Sequence, residues 1–132
     1  MIKAKNLKVG YEQKIIIEDL SIDIEKGQVV SILGPNGSGK STLLKALSRM
    51  IKPKSGEIYI ENQKLTDIKN KKISQKLCLL SQHNTVPGDI SVEDLVYFGR
   101  MPHKKWYETK LKEDEEIVNW AIENVGLTKY KN

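Results

Sequence analysis

Nine consecutive residues read Gly34-Pro35-Asn36-Gly37-Ser38-Gly39-Lys40-Ser41-Thr42. They match the pattern G-x-x-x-x-G-K-[ST], whose backbone amides surround a phosphate group. An apolar run at residues 29–33 comes directly before the motif. Apolar residues at helical spacing follow it, namely Leu43, Leu44, Leu47, Met50 and Ile51. The sequence therefore predicts a strand, a phosphate-binding loop and a helix, in that order.

The residue types of this loop predict a site for a magnesium-bound nucleoside phosphate. Glycine can adopt backbone angles that are closed to other residues, so successive amides can turn toward one anion. The start of the following helix adds the positive end of its dipole. Lys40 would reach the β- and γ-phosphates, and the hydroxyl of Ser41 would ligate Mg²⁺. A glycine-rich turn without a ligand would leave the lysine and the hydroxyl unexplained.

The composition argues against a nucleic-acid surface. The 132 residues include 22 Lys+Arg and 17 Asp+Glu, a formal charge of +5, but only Arg49 and Arg100 are arginines. Arginine is the usual residue for bidentate recognition of bases and phosphates. No segment has the roughly 18 consecutive apolar residues of a membrane helix, and the N-terminus lacks a secretory signal. We therefore expect a soluble protein of a reducing compartment, with the lone Cys78 as a buried thiol.

Hydrophobic periodicity predicts a strand-rich first half followed by helices. The expected strands are residues 2–9, 15–24, 29–33, 57–60 and 77–80. A short helix is expected near residues 71–76, another over 91–99 with Ser91 as its cap, and a longer one from about residue 110. The last helix is expected to end at Gly126. Its predicted buried residues are Ile117, Val118, Ala121, Ile122 and Val125.

With these motifs in this order, the chain resembles the N-terminal part of an ATP-binding-cassette ATPase, the motor subunit of ABC transporters. The form of the loop is typical of that family. Tyr11 lies where the family places an aromatic side chain that stacks on adenine. Gln82, which closes the run 79–82, matches the glutamine of the family's Q-loop, where it meets Mg²⁺ or the attacking water. The resemblance thus implies ATP and Mg²⁺ as ligands, with Gln82 as a catalytic and metal-contacting residue.

The resemblance also implies an architecture. It is an α/β fold, a P-loop NTPase core with an N-terminal antiparallel β-subdomain and the start of an α-helical subdomain. Residues 1–82 would form the nucleotide-binding and β-subdomain portion. Residues 83–132 would form the Q-loop and the beginning of the helical subdomain. The whole chain, 1–132, would then be a partial ABC ATPase domain.

The segment Phe98-Gly99-Arg100-Met101-Pro102-His103 resembles one found in importer ATPases for iron–siderophore, haem and cobalamin substrates. Such an ATPase forms a head-to-tail dimer with a second ATPase subunit. It binds integral membrane permease subunits at the cytoplasmic face of the cell membrane, and a substrate-binding protein acts with them indirectly. The resemblance implies the same partners here, with no nucleic acid, and an energy-coupling role in the import of iron chelates or a related cofactor.

Several motifs of the family are missing from the 132 residues. The sequence contains no Leu-Ser-Gly-Gly-Gln signature, no strand ending in Asp-Glu and no switch histidine. We therefore expect the chain to be the front part of a longer ATPase and to be inactive in hydrolysis by itself. Two alternatives remain open. One is a nucleotide-binding remnant without catalysis, and the other is an ABC ATPase of iron–sulfur assembly, translation or repair.

Overall fold

The structure is a computed structural model that describes residues 1–82, 88–105 and 107–131. The chain divides into two compact units, Met1–Leu79 and Leu80–Asn132. The expected loop from residue 82 to 90 falls largely outside the described residues. The assignment of residues 1–82 and 83–132 to parts of an ATPase domain stays a prediction.

A four-stranded antiparallel sheet organises the first unit. Its strands are β1 (Ile2–Tyr11), β2 (Lys14–Ile24), β3 (Ser55–Ile60) and β4 (Gln63–Lys64), in the order β2-β1-β3-β4. A two-residue connection joins β1 to β2, which makes them a hairpin. Ala4 of the central strand lies opposite Ile22 on one side and Ile58 on the other. The predicted strands 2–9, 15–24 and 57–60 are therefore confirmed.

One face of this sheet is covered by the helix that follows the phosphate-loop motif, α1 (Lys40–Leu47). The core residues of β1 and β3 pack with the apolar side of α1, and a register shift in β1 between Ala4 and Leu7 interrupts the simple alternation of that strand. A single 3₁₀ turn at Leu65–Asp67 and the short helix α2 (Asn70–Ser74) close the core. The buried core residues are Ala4, Leu7, Val9, Leu43, Ala46, Leu47, Ile58, Ile60, Leu65, Ile68 and Ile73.

The second unit is helical, as predicted. It contains α3 (Val92–Tyr97), a 3₁₀ helix at Phe98–His103, α4 (Lys112–Asn124) and a 3₁₀ turn at Thr128–Tyr130. The hydroxyl of Ser91 accepts a hydrogen bond from the Asp94 amide at 3.1 Å, which confirms the expected cap. Gly126 follows α4 in the left-handed conformation, with φ of 71°. No helix in the described part of the chain is long and apolar enough to cross a bilayer.

Burial along α4 matches most of the expected pattern. Val118 and Ile122 are buried, and Ile117 and Ala121 are half-buried. Val125 was expected in the core, but it is exposed. It lies beyond the last residue of α4, where the chain no longer follows the helical period and its side chain leaves the apolar stripe.

Two predicted strands, 29–33 and 77–80, are wrong in this structure. Neither run is extended in a sheet, and Val29 and Leu33 are 97% and 91% exposed. A strand exists only when a neighbouring strand supplies its hydrogen bonds, and no described strand lies beside either run. The prediction that Cys78 is buried fails for the same reason, because its thiol is exposed with the unpaired run around it.

Candidate nucleotide-binding site

The phosphate-loop motif forms a turn that leads directly into α1. The amide of Ser38 donates to the carbonyl of Pro35 at 3.3 Å, which closes the turn. The amide of Leu43 donates to the carbonyl of Gly39 at 2.8 Å, which makes the first bond of the helix. The first amides of a helix have no intrahelical partner, so those of Lys40 and Ser41 remain available to an anion.

Gly39 fixes how this loop meets the sheet. Its backbone is left-handed, with φ of 93° and ψ of 5°. A Cβ atom at this position would lie 2.9 Å from Cγ2 of Ile16 and 3.4 Å from Cγ1 of Ile17, both in β2. A side chain at residue 39 is therefore excluded both by backbone conformation and by space. Ile16 and Ile17 thus support the phosphate loop. The sequence analysis did not identify them, because the loop motif contains no information about its neighbours in β2.

The ammonium group of Lys40 lies across the loop. Its Nζ donates to the carbonyl oxygens of Gly34 and Pro35, each at 2.7 Å. Among the described residues no carboxylate forms an ion pair with it. Carbonyl oxygens orient the ammonium without neutralising its charge. A cation held in this way suits a multiply charged phosphate.

Ser41 and Thr42 point in different directions. Ser41 is exposed at the first turn of α1, whereas the residue Thr42 is only 8% exposed and belongs to the packed side of the helix. A hydroxyl oxygen is a ligand that Mg²⁺ accepts together with phosphate oxygens and water. The chemistry of Ser41 therefore fits the predicted metal ligand, and the predicted contact of Thr42 with the nucleotide stays a prediction. Asn36 and Ser38 are exposed in the loop.

Tyr11 lies at the end of β1 that is nearest to the loop. Its cross-strand partner is Lys14, which is two residues, about 7 Å, along β2 from the Ile16 that contacts Gly39. The tyrosine is 45% exposed. The tip of the hairpin is held by Lys54, whose ammonium donates to the carbonyl oxygen of Glu12. The first unit thus has an exposed aromatic ring on the hairpin end beside the phosphate loop.

Gln82 belongs to the second unit, where it is exposed. Its role in meeting Mg²⁺ or water stays a prediction. The candidate site is defined by contacts within the first unit. These contacts bring together Gly34, Pro35, Gly39, Lys40 and Ser41.

The second unit contains a charged cluster that the sequence did not indicate. The carboxylate of Asp114 accepts three hydrogen bonds. Their donors are Nε of Arg100 at 2.9 Å, Nζ of Lys104 at 2.8 Å and the amide of Leu111 at 3.3 Å. The side chain of Asp114 is 3% exposed. Hydrogen bonds from Lys104 and Arg100 lower its pKa to about 2, against the opposing effect of burial. Burial lowers the pKa of Lys104, but hydrogen bonds to Asp114 and Tyr97 raise it overall.

This cluster anchors the importer-like segment at Phe98–His103. Arg100 points inward to the carboxylate, while Phe98 and Met101 are exposed on the same 3₁₀ helix. The segment therefore presents apolar side chains from a base fixed by two ion pairs with Asp114. The sequence feature that could have indicated this cluster is an aspartate in the first turn of a predicted helix. An aspartate there also accepts hydrogen bonds from the free amides of that turn, so it does not by itself predict an ion pair.

Sequence comparison finds one family model and many related proteins. The model described as "ABC transporter" matches residues 17–132. The iron(3+)-hydroxamate import ATP-binding protein FhuC of Bacillus subtilis is 35% identical over 129 residues, which are 98% of this chain and 48% of that protein. The ferric enterobactin transport ATP-binding protein FepC of Escherichia coli is 38% identical over 127 residues, 96% of this chain and 47% of that protein. The chain spans about half the length of the curated relatives it matches.

Solved structures agree with this grouping. An ATP-binding cassette dimer in a post-hydrolysis state, bound to ADP and Pi, superposes with a TM-score of 0.80 at 25% identity. The match covers 100% of this chain and 60% of that one. A second match is the cbiO1 protein of Clostridium perfringens, part of a cbiONQ transporter complex. Its TM-score is 0.76 at 26% identity, and the match covers 99% of this chain and 52% of that one. These matches confirm the predicted fold class.

Proposed function

The chain belongs to the ABC transporter family, and we propose that it binds ATP as part of the energy-coupling subunit of an importer of iron chelates. One observation carries the nucleotide-binding part. The Lys40 ammonium is held at the carbonyls of Gly34 and Pro35, in the loop that leads into the partner-free first amides of α1. Positive charge and unpaired donors converge on one loop, which is the chemistry a triphosphate requires.

Each residue of the loop has a separate task in this proposal. The backbone amides of Gly37, Gly39, Lys40 and Ser41 hold the β-phosphate, and Lys40 balances the charge of the β- and γ-phosphates. Pro35, Asn36 and Ser38 shape the turn. The ring of Tyr11 stacks on adenine at the end of the hairpin. Holding the nucleotide in one position and lowering the cost of its charge are the contributions that such a loop makes to phosphoryl transfer.

Ser41 is the proposed ligand of Mg²⁺ in the first unit, and Gln82 is its proposed second contact. The bound ion would neutralise charge on the phosphate oxygens. The hydroxyl of Ser41 is exposed and lies beside the Lys40 amide, so it is available to a hard cation that keeps several water ligands. Gln82 would also orient the attacking water. Hydrolysis of ATP is proposed for the whole ATPase.

The substrate class rests on the relatives and on the exposed segment of the second unit. Proteins named for the import of ferric hydroxamate and ferric enterobactin are 35% and 38% identical to this chain. The segment Phe98–His103 presents Phe98 and Met101 from its ionic anchor. We propose that it faces membrane permease subunits at the cytoplasmic side of the membrane, in a head-to-tail dimer of ATPase subunits. A substrate-binding protein would supply the chelate.

Uptake of radioactive iron by cells tests this function. A strain without the gene is complemented with the wild type, with Lys40→Ala, or with the matched control Lys45→Ala. Lys45 is an exposed lysine of the same helix. Cells are offered iron as a hydroxamate or enterobactin chelate. We expect Lys40→Ala to abolish uptake of at least one chelate, with Lys45→Ala equal to the wild type.

The outcomes separate the competing functions. Equal uptake of all chelates with and without the gene contradicts iron-chelate import. Co-purification with soluble proteins instead of membrane subunits would favour a role in iron–sulfur assembly, translation or repair. Loss of uptake together with unchanged binding of ATP by Lys40→Ala would contradict the assigned role of Lys40.

A further inference from the structure

A second concave site lies in the first unit, at the opposite end of α1 from the phosphate loop. It is a cavity of about 580 Å³ between the end of α1, the connection to β3 and the 3₁₀ turn at Leu65–Asp67. This volume is in the range of small-molecule sites. Its floor consists of the buried side chains of Ala46, Ile58 and Leu65. The cavity thus offers an apolar surface to a ligand.

The rim of the cavity is strongly cationic. Arg49, Lys52, Lys54 and Lys64 all line it, and Glu57 is the acidic residue among the lining side chains. Lys64 and Glu57 form an ion pair with each other. Hydrogen bonds from Lys64 and Tyr59 lower the pKa of Glu57, so its carboxylate is ionised at neutral pH. This pair is neutral as a unit, which leaves three cations in excess around the opening.

None of the three excess cations forms an ion pair among the described residues. Nη1 of Arg49 donates to the carbonyl of Ile68 at 2.6 Å, and the ammonium of Lys54 donates to the carbonyl of Glu12. A carbonyl oxygen orients a cation but does not cancel its charge. Lys52 forms no ion pair among the described residues. Three positive charges around one apolar floor attract an anion that can reach all of them.

The carbonyl oxygens near the end of α1 have hydrogen-bond partners. A helix C-terminus normally presents free carbonyl oxygens, which would repel an anion. Here the amide of Ser48 donates to Leu44, that of Arg49 to Ala46, and those of Met50 and Ile51 to Lys45. The carbonyl oxygens of Leu44, Lys45 and Ala46 are therefore paired with the chain that turns away from the helix. The charged side chains that line the cavity are mainly cationic.

We propose that this cavity binds a small organic phosphate, with its apolar body on the Ala46–Ile58–Leu65 floor and its dianionic head at the Arg49, Lys52 and Lys54 rim. The site is separate from the phosphate loop, which lies at the other end of α1. No residue of the phosphate loop lines the cavity. A phosphate bound in the cavity would contact Lys54, and the same lysine holds the tip of the hairpin that carries Tyr11.

The test uses 1-naphthyl phosphate as the probe and the Lys40→Ala protein as the background, so that the phosphate loop contributes little. Binding is measured by calorimetry and mapped by amide chemical shifts. We expect saturable binding, with the largest shifts at Lys52, Ile58 and Leu65. Adding Lys52→Glu is expected to weaken binding by about tenfold or more. The control is Lys45→Glu, which reverses the same charge on an exposed lysine outside the cavity. This change is expected to alter the affinity for the probe by less than about threefold.

Three results would overturn the site. The first is the absence of saturable binding up to the solubility limit of the probe. The second is equal weakening by Lys52→Glu and Lys45→Glu, which would indicate attraction to the net charge alone. The third is a shift map centred on Gly34–Ser41. If the Lys52→Glu variant does not fold, the map of chemical shifts in the Lys40→Ala protein still shows whether the probe binds in the cavity. Naphthol, which lacks the phosphate, is expected to bind at least about tenfold more weakly.

Discussion

Gly39 and Ile16 are in direct contact, and this contact joins the phosphate loop to the sheet. A Cβ atom on Gly39 would lie 2.9 Å from Cγ2 of Ile16. Real Cβ atoms do not approach another carbon so closely, so any side chain at residue 39 must displace β2 or the loop. The start of α1, and with it Lys40 and Ser41, is positioned by this close approach of backbone to strand.

Replacing Gly39 by alanine is therefore expected to cost more than the same change at Gly37. Both residues have positive φ, 93° and 83°, but a Cβ on Gly37 would meet nothing within 4 Å. Gly37→Ala bears only backbone strain, about 1–2 kcal/mol. Gly39→Ala adds a steric clash of about 1–3 kcal/mol. Urea unfolding of both variants measures the difference, and equal free energies of unfolding would contradict the role of Ile16.

Lys40→Ala is expected to weaken the binding of Mg-ATP by tenfold or more, that is by about 1.4 kcal/mol at least. The change removes the only charged group that the loop motif contributes. Titration with a fluorescent ATP analogue measures the dissociation constant. Lys45→Ala is the matched control and is expected to bind as the wild type does. Equal affinity of the two variants would show that the ammonium of Lys40 does not meet the phosphates.

Tyr11→Ala is expected to weaken ATP binding by about 1–3 kcal/mol, the range for stacking of a base on an aromatic ring. Tyr11→Phe keeps the ring and should bind like the wild type. Inorganic tripolyphosphate has no base, so its affinity should not change in either variant. Calorimetric titrations with both ligands separate the two contributions. A parallel loss for ATP and tripolyphosphate would indicate that the substitution disturbs the hairpin and not a stacking contact.

Asp114→Asn is expected to lower the melting temperature of the second unit by about 5–10 °C. The change leaves Arg100 and Lys104 without their shared carboxylate, and Lys104 is itself buried beside it. Glu113→Gln, an exposed neighbour on the same turn, serves as the control and should melt like the wild type. Hydrogen exchange of the α4 amides locates the effect. Equal protection in both variants would contradict an anchoring role for Asp114.

The same carboxylate predicts how stability depends on pH. The pKa of Asp114 is lowered from 3.8 to about 2 in the folded state. Its contribution to stability is therefore complete above pH 3.8 and is lost as the pH falls toward 2. The difference in melting temperature between the wild type and Asp114→Asn should stay constant at neutral pH and narrow over that acidic interval. A constant difference down to pH 2 would show that the carboxylate is not selectively stabilised in its charged form.

The exposed run at residues 29–33 is expected to drive self-association of this chain. Val29 and Leu33 are almost fully exposed, and large exposed apolar groups beside unpaired backbone favour contact between copies. The double variant Val29→Ser, Leu33→Ser should remain monomeric at concentrations where the wild-type chain associates. Light scattering over a concentration series measures this. Unchanged association would assign it to another surface, and a serine variant at exposed Met50 serves as the control.

The β-hairpin and the short strand β3 could be predicted because their alternation of apolar and polar residues is a local property. The helices of the second unit were predicted from their caps and period for the same reason. The runs 29–33 and 77–80 carry equally apolar sequences, yet they are not strands here. Whether such a run becomes a strand depends on a neighbour in space, and local sequence does not contain that information.

The loop, the lysine and the hydroxyl of the candidate site could be read from local sequence, because the motif specifies residue types at fixed spacing along one turn. The groups that support them became known from the folded chain. Ile16 reaches Gly39 through a strand more than twenty residues earlier. Asp114 meets Arg100 and Lys104 across a connection that the spacing of charges does not predict, and the cationic cavity gathers side chains from α1, β3 and the turn after β4. Contacts between elements distant in sequence are set by packing, and packing is fixed only when the whole unit folds.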